Sequence, residues 1–283
     1  MRVQAGGMVH GSDTPRPMKA ADLVIPKEAE KFGLSANRSG GHLARSMMLP
    51  EIGALVTHLP MAAGLGDFTS AILSDNLLAK PTNASREKSL RHLIQLYGLD
   101  SRLALFRLLR RLAAEDPQSL PLMAMTCAFC RDAQLRASFD LLDQLRPGQV
   151  LARERMEQHL EQAFPRRFSA AMKKSLAQNV NTTWTEAGHL TGRTTKVRVM
   201  PQARMGASVY AMFAGYLLGL RGELLINSVF ARLVAGDSSI ITSHLASASA
   251  QGYLRFRHAG GVVEADFAPL LTEEERLVAH GAH

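Results

Sequence analysis

Between residues 34 and 146, apolar side chains recur at the spacing of an α-helix, and this periodicity limits the fold more than any other feature of the chain. In residues 85–97, leucine, isoleucine and tyrosine return every three or four positions, which places them on one helical face. Residues 101–116 repeat this pattern, and Pro117 then predicts a helix end. Several amphipathic helices joined by short loops predict a helical bundle over residues 34–148.

The second half of the chain alternates helical stretches with shorter strand-like ones. After Val150, one predicted helix stops at Pro165, and a second one covers FSAAMKKSLAQNVNTTWTEAGHL. Residues 195–200 then alternate between Thr or Val and Lys, Arg or Met, as a strand does. A helix followed by a basic hairpin or arm is typical of a winged-helix module, which we predict over residues 149–204.

A similar order of elements recurs near the C-terminus. Two serines, Ser238 and Ser239, can cap a helix that Gly252 can end. Residues 253–267 read YLRFRH, AGG and VVEADF, which predicts a β-hairpin with the glycines in its turn. We therefore predict a second helical, winged-helix-like module over residues 205–283, and a mainly α fold for the whole chain.

Three features of the sequence bear on where the protein is located. Residues 1–33 are rich in Gly and Pro and lack an apolar stretch, which predicts a flexible leader and no secretory signal. The longest charge-free apolar run, residues 205–220, is shorter than the roughly 18–20 residues of a membrane span, so we predict a buried helix and no membrane contact. Two cysteines cannot build a disulfide framework, which favours a reducing, cytoplasmic location.

Nearly all of the net charge of +8 lies in one segment. Residues 166–205 carry eight basic residues and one acidic residue, Glu186, a local charge of +7. Lys and Arg neutralise duplex phosphates, so this density predicts contact with double-stranded DNA, mostly through phosphates and with little sequence readout. The predicted DNA-binding residues are Arg166, Arg167, Lys173, Lys174, Arg193, Lys196, Arg198 and Arg204. Asn179, Asn181, Thr182 and Thr183 could face a groove further along the same helix.

Three alternatives stay open for the basic segment. It could be a solvated face without a partner, or it could dock onto an acidic protein, which would make the chain an adaptor subunit of a multi-protein complex. A third alternative is a transcriptional regulator that uses the C-terminal winged helix. Residues 238–250 contain neither Lys nor Arg, however, and these are the side chains that most often read guanine.

Catalytic chemistry has no recognisable motif in the sequence. Cys127 and Cys130 form a CxxC pair, but a structural zinc site needs two further ligands at suitable spacing, so we interpret both as core residues. Trp184 is interpreted as a core anchor. We predict a non-catalytic protein with no cofactor and no metal. A second basic cluster consists of Arg102, Arg107, Arg110 and Arg111. Glu115 and Asp116 follow it directly, and we expect the cluster to pair with them.

Two stretches, SANRSGGHLARSMMLPE and ILSDNLLAKPTNASREKSLRHLIQLYGLD, resemble the N-terminal region of the BrxA-like proteins of BREX phage-exclusion systems. The resemblance extends over roughly residues 35–200, and about 80 residues follow beyond the usual end of that family. It implies a NusB-like helical fold and a DNA-binding accessory role beside other subunits of a defence system. The residues that carry it are Ser39, Gly40, Gly41, Asn76, Leu77, Leu78, Thr82, Ser85 and Arg86.

Overall fold

The computed structural model describes residues 18–36 and 40–280, and over these ranges the chain is mainly α-helical, as predicted. The α-helices of these ranges are α1 (Leu49–His58), α2 (Leu65–Leu73), α3 (Asn83–Tyr97), α4 (Ala104–Glu115), α5 (Leu120–Arg131), α6 (Ala133–Leu142), α7 (Arg153–Ala163), α8 (Ala170–Glu186), α9 (Met205–Leu217), α10 (Gly222–Ile226), α11 (Val229–Val234), α12 (Ser238–Ala250) and α13 (Glu273–His280). The strands are β1 (Val150–Leu151), β2 (Leu190–Thr191), β3 (Lys196–Arg198), β4 (Arg255–Ala259) and β5 (Val262–Asp266).

The apolar run at residues 205–220 forms a central helix of the core. Every residue of α9 from Gly206 to Leu217 is buried, and the helix packs against α4, α5, α11 and α12. A helix surrounded on all sides needs no polar face, which explains its composition. The prediction of a buried helix is therefore confirmed.

Within the described ranges, no single helix is both long and apolar enough to cross a membrane. The segments Gly222–Val234 and Ser238–Ala250 meet the length and composition criteria only as a pair, and the two are bent by 102° relative to each other.

Residues 18–33 pack against the helical core, whereas we expected them to belong to a flexible leader. Ala20 and Phe32 are at most 2% exposed. The carboxylate of Asp140 on α6 accepts the backbone N–H groups of Ala20 and Ala21. The segment forms two short 3-10 turns, which are too brief to produce a readable helical period. The rest of the predicted leader, residues 1–17, lies outside the described residues.

The predicted regions share one core. Buried apolar side chains form a single cluster that extends from Ala20 to Ala279. Contacts between α5 and α9, and between α5 and α8, cross the predicted boundaries at residues 148/149 and 204/205. The elements on the two sides of each predicted boundary therefore pack together in a common apolar core.

Two small antiparallel sheets complete the described part of the chain. The first has the strand order β1-β3-β2, with Val150 opposite Val197 and Leu190 opposite Arg198. The second is the predicted C-terminal hairpin of β4 and β5. Its turn, Gly260-Gly261, has positive φ angles of 59° and 78°, which a two-residue hairpin turn requires and glycine supplies without strain.

Side chains cap the starts of α3, α12 and α6. Thr82 caps α3: its hydroxyl accepts the N–H of Ser85, and the Ser85 hydroxyl accepts the N–H of Thr82. Asp237 caps α12 by accepting the N–H of Ser239, just before the serines that we expected as caps. Asp132 separates α5 from α6 and caps α6 by accepting the N–H groups of Gln134 and Leu135.

Candidate nucleic-acid interface

Helix α8 presents a stripe of mostly polar side chains to solvent. Ser169 caps its first turn, and Leu176, Val180 and Trp184 are buried on its inner face, so the interpretation of Trp184 as a core anchor is confirmed. No acidic residue lies between positions 171 and 182. The exposed stripe follows the three- and four-residue spacing of one helical face and consists of Ala171, Lys174, Ser175, Gln178 and Thr182.

Exposed arginines flank both ends of this stripe. Arg166 and Arg167 lie in the turn before α8. The Arg167 guanidinium is 5.7 Å from the ring centroids of Phe164 and Phe168, and these cation–π contacts hold it near the helix start. At the other end, Arg193 is exposed in the turn between β2 and β3. Since α8 has 17 residues, the two groups of arginines are separated by a helix about 25 Å long.

The two lysines of α8 have acidic neighbours on α7. The Lys173 Nζ is 2.9 Å from Glu161 Oε2, so this predicted DNA contact already has a partner. Lys174 is exposed. The pKa of Glu154 is lowered chiefly by a hydrogen bond to its own backbone, then by Arg153, with a smaller contribution from Lys174. Exposed charge pairs of this kind are weak, and Lys174 therefore stays free to contact a phosphate.

The two predicted DNA contacts on β3, Lys196 and Arg198, differ in their exposure to solvent. Arg198 is 3% exposed, so the expectation that it faces a nucleic acid does not fit the structure. One of its guanidinium nitrogens donates to His189 Nδ1 at 3.1 Å and to the carbonyl oxygens of His189 and Val199. Lys196 is partly exposed, and its Nζ donates to the carbonyl of Gly192 at 2.8 Å, which closes the β2–β3 turn.

Arg204 lies away from the α8 stripe, beside the end of α4. Its Nε donates to both carboxylate oxygens of Asp116, at 3.0 and 2.8 Å. The pKa of Arg204 is raised by this hydrogen bond. The pair connects residues 88 positions apart, which local periodicity cannot reveal. We therefore leave Arg204 out of the candidate interface, although its local sequence predicted a DNA contact.

The second basic cluster is paired within the protein, as expected. Three of its members form ion pairs: Arg102 with Asp100, Arg107 with Glu275, and Arg111 with Glu115. Arg110 is 1% exposed and donates to the carbonyl oxygens of residues 59, 60 and 61, at the end of α1 and just beyond it. Of these three ion pairs, only Arg111–Glu115 was expected from the sequence.

Asn181 and Thr183, which we expected near a groove, are buried instead. Thr183 Oγ1 is 2.9 Å from His42 Nε2, and His42 Nδ1 is 2.8 Å from Asp132 Oδ2. Asn179 donates to the His42 carbonyl. The order Asp, His, Thr matches that of a hydrolytic triad, but the three residues are at most 1% exposed. In this arrangement the network joins the loop around His42 to α6 and α8.

The Gly-Gly pair of the BrxA-like resemblance has a packing role. A Cβ on Gly40 would collide with the side chains of Asp132 and Gln134. Glycine thus allows the loop to approach the start of α6 closely enough for the His42–Asp132 contact. Arg86 on α3 likewise has a structural role, because it donates to the carbonyl of Leu73 at the end of α2, at 2.9 Å.

Cys127 and Cys130 are buried in the core on α5, as we interpreted them. Burial raises the pKa of the Cys127 thiol to about 11 and raises that of Cys130 further above its ordinary value. A buried thiol that keeps its proton is a poor nucleophile and a poor metal ligand. Among the described residues, no group of three or more His, Cys, Asp or Glu side chains could hold a metal ion.

Because His189 is buried, we expect the protein to lose stability in acid. Burial, with a further contribution from Arg198, lowers its pKa to about 3, whereas an unfolded histidine has a pKa of about 6.5. Below about pH 6.5 the unfolded chain binds a proton that the folded chain excludes, so the free energy of unfolding falls as the pH drops. From pH 7 to pH 5 the expected loss is about 2 kcal/mol. Urea unfolding at both pH values measures it, and a His189→Gln variant that loses the same amount would contradict the assignment.

No family model matches the chain, and a search of curated proteins found no match. Most of the residues that carry the BrxA-like resemblance belong to the described ranges, whereas Ser39 lies outside them.

Proposed function

We propose that this protein binds duplex DNA, with α8 in the major groove and the flanking arginines on the phosphate backbone. The observation that carries the proposal is the exposed, acid-free stripe of α8 between Arg166 and Arg167 at one end and Arg193 at the other. Phosphate contacts at both ends of a helix would fix its register on a duplex.

The topology around α8 supports the same proposal. The elements follow the order α6, β1, α7, α8, β2 and β3, and the sheet order is β1-β3-β2. A winged-helix module has this arrangement: its last helix enters the major groove, and the β2–β3 turn forms the wing. Helix α12 is the weaker candidate for a recognition helix, because residues 238–250 contain no Lys or Arg.

The stripe has side chains of the types that read base edges. Its span from residue 171 to residue 182 is about 16 Å, comparable with a major groove about 12 Å wide. Gln178 can form a bidentate pair with adenine, and Ser175 and Thr182 can donate to or accept from several bases. We therefore propose phosphate contacts that supply most of the affinity, with base readout limited to the middle of α8.

A salt titration tests this function. Four available cations, Arg166, Arg167, Lys174 and Arg193, predict a slope of about −3.6 for log K against log salt concentration. Fluorescence anisotropy with a random-sequence duplex between 50 and 300 mM salt measures the slope. An Arg166→Ala/Arg193→Ala variant should weaken binding to unrelated sequences equally and reduce the slope by about 2.

Matched variants separate this result from a general charge effect. Arg257→Ala removes an exposed arginine from the distant hairpin and should leave the slope unchanged. Gln178→Ala should also keep the slope, because it removes no charge. A flat salt dependence, or no binding at 50 mM salt, would overturn the proposal and turn the search toward acidic protein partners.

A non-catalytic accessory role in a BREX-like defence system is the biological setting that we propose for this DNA binding. The BrxA-like resemblance of residues 35–200 is its support. Purification of the protein from a host that carries neighbouring defence genes tests the setting separately, because co-purifying subunits would be found whether or not α8 contacts DNA.

A further inference from the structure

A cavity of about 550 Å³ lies between the N-terminal segment, the start of α6 and the end of α7. Leu23 and Ile25 line it from the N-terminal segment, and Phe164 lines it from the end of α7. Two arginines, Arg136 and Arg167, also line it. The cavity thus has an apolar wall with positive charge beside it, and its volume is within the range of small-molecule sites.

Arg136 is the unusual member of this lining. It is 5% exposed, yet it forms no salt bridge within the described ranges. One Nη1–H donates to the carbonyl of Phe129 at 2.9 Å. The nearby Asp132 carboxylate is already occupied by His42 and by the first N–H groups of α6. Buried arginines are normally paired, because removing a charge from water is costly unless a counter-charge offsets it.

Arg167 lines the same cavity and is exposed to solvent. The rings of Phe164 and Phe168 hold its guanidinium group, which leaves the planar N–H fork free to meet a ligand. Asp22 is the acidic lining residue, and it is exposed to solvent. The lining therefore carries one more positive than negative charge.

We propose that this cavity binds a small organic anion. Its carboxylate or phosphate group would pair with Arg136 and Arg167, and its apolar part would rest on Leu23, Ile25 and Phe164. The buried guanidinium supplies charge-assisted hydrogen bonds that water competes with only weakly at this depth. This site does not depend on DNA binding, although the two proposals share Arg167.

Phenyl phosphate, which combines a dianion with an apolar ring, is the probe for the test, and uncharged benzamide is its control. Amide resonances of residues 24, 133 and 137 are followed by NMR during a titration without DNA. Phenyl phosphate should shift them saturably, and benzamide should not. Arg136→Gln should weaken binding about tenfold or more, as expected for the loss of a charged hydrogen bond. Arg146→Gln, an exposed arginine outside the cavity, should have no effect.

A second variant covers the case in which Arg136→Gln fails to fold. Arg167 is exposed, so Arg167→Gln should keep the fold and weaken phenyl phosphate binding about fivefold. No saturable shift at about 10 mM phenyl phosphate, equal binding of benzamide, or unchanged affinity in the folded variants would each overturn the proposal. Carrying out the titration without DNA keeps its failure distinct from failure of the DNA-binding proposal.

Discussion

Replacing Asp132 with alanine is expected to lower the free energy of unfolding by about 3–5 kcal/mol. The carboxylate is 1% exposed and accepts the backbone N–H and the Nδ1 of His42, together with the N–H groups of Gln134 and Leu135. Burial alone would raise the pKa of Asp132, and the interactions with His42 reverse this and hold the pKa below its ordinary value. Its removal leaves several buried donors without an acceptor and removes the cap of α6.

Urea unfolding under reducing conditions measures this loss, and Asp143→Ala is the matched control. Asp143 is paired with Arg232 near the surface at 2.9 Å, so its removal should cost less than about 1 kcal/mol. A loss of similar size in the two variants would show that the network around His42 adds no particular stability.

Arg198→Ala is expected to destabilise the fold by about 2–4 kcal/mol and to leave the DNA affinity of the folded protein unchanged. Arg198 donates to His189 Nδ1 and to the carbonyl oxygens of His189 and Val199, and alanine would remove all three of these hydrogen bonds. Arg193→Ala is the contrasting change, because Arg193 is exposed at the β2–β3 turn. It should leave stability within about 0.5 kcal/mol of wild type and weaken DNA binding.

The two variants therefore separate structural from interfacial arginines within one short hairpin. Urea unfolding gives the stability of each, and anisotropy at a temperature where both are folded gives the DNA affinity. If Arg198→Ala weakened DNA binding without a loss of stability, Arg198 would have to leave its buried site on binding. That outcome would restore the expectation drawn from the sequence.

The difference between these arginines shows where sequence reasoning reached its limit. Both lie in a basic stretch, and we predicted that both contact DNA. Arg198 points inward instead, because His189 and the neighbouring carbonyl oxygens form a polar site for its guanidinium. The same applies to Arg204, because its partner Asp116 lies 88 positions away in sequence, at the end of α4.

The exposed stripe of α8 was also only partly predictable. Lys174 and Thr182 were among the expected residues, and the structure adds Ser175 and Gln178. The helical period could have given this stripe, because all four lie on one face opposite Leu176 and Trp184. We instead expected groove contacts from amide and hydroxyl side chains whichever helical face they occupy. That expectation included Asn181 and Thr183, which are buried.

Residue order alone determined the mainly helical fold, the buried helix at residues 205–220, the Gly260-Gly261 hairpin and the concentration of positive charge in residues 166–205. These features depend on backbone preferences and side-chain periodicity within a few residues. Only the tertiary structure decided which charges face solvent, that residues 18–33 join the core, and that Arg136 lines a cavity. Burial and pairing depend on groups that are far apart in sequence and that hydrophobic packing brings together.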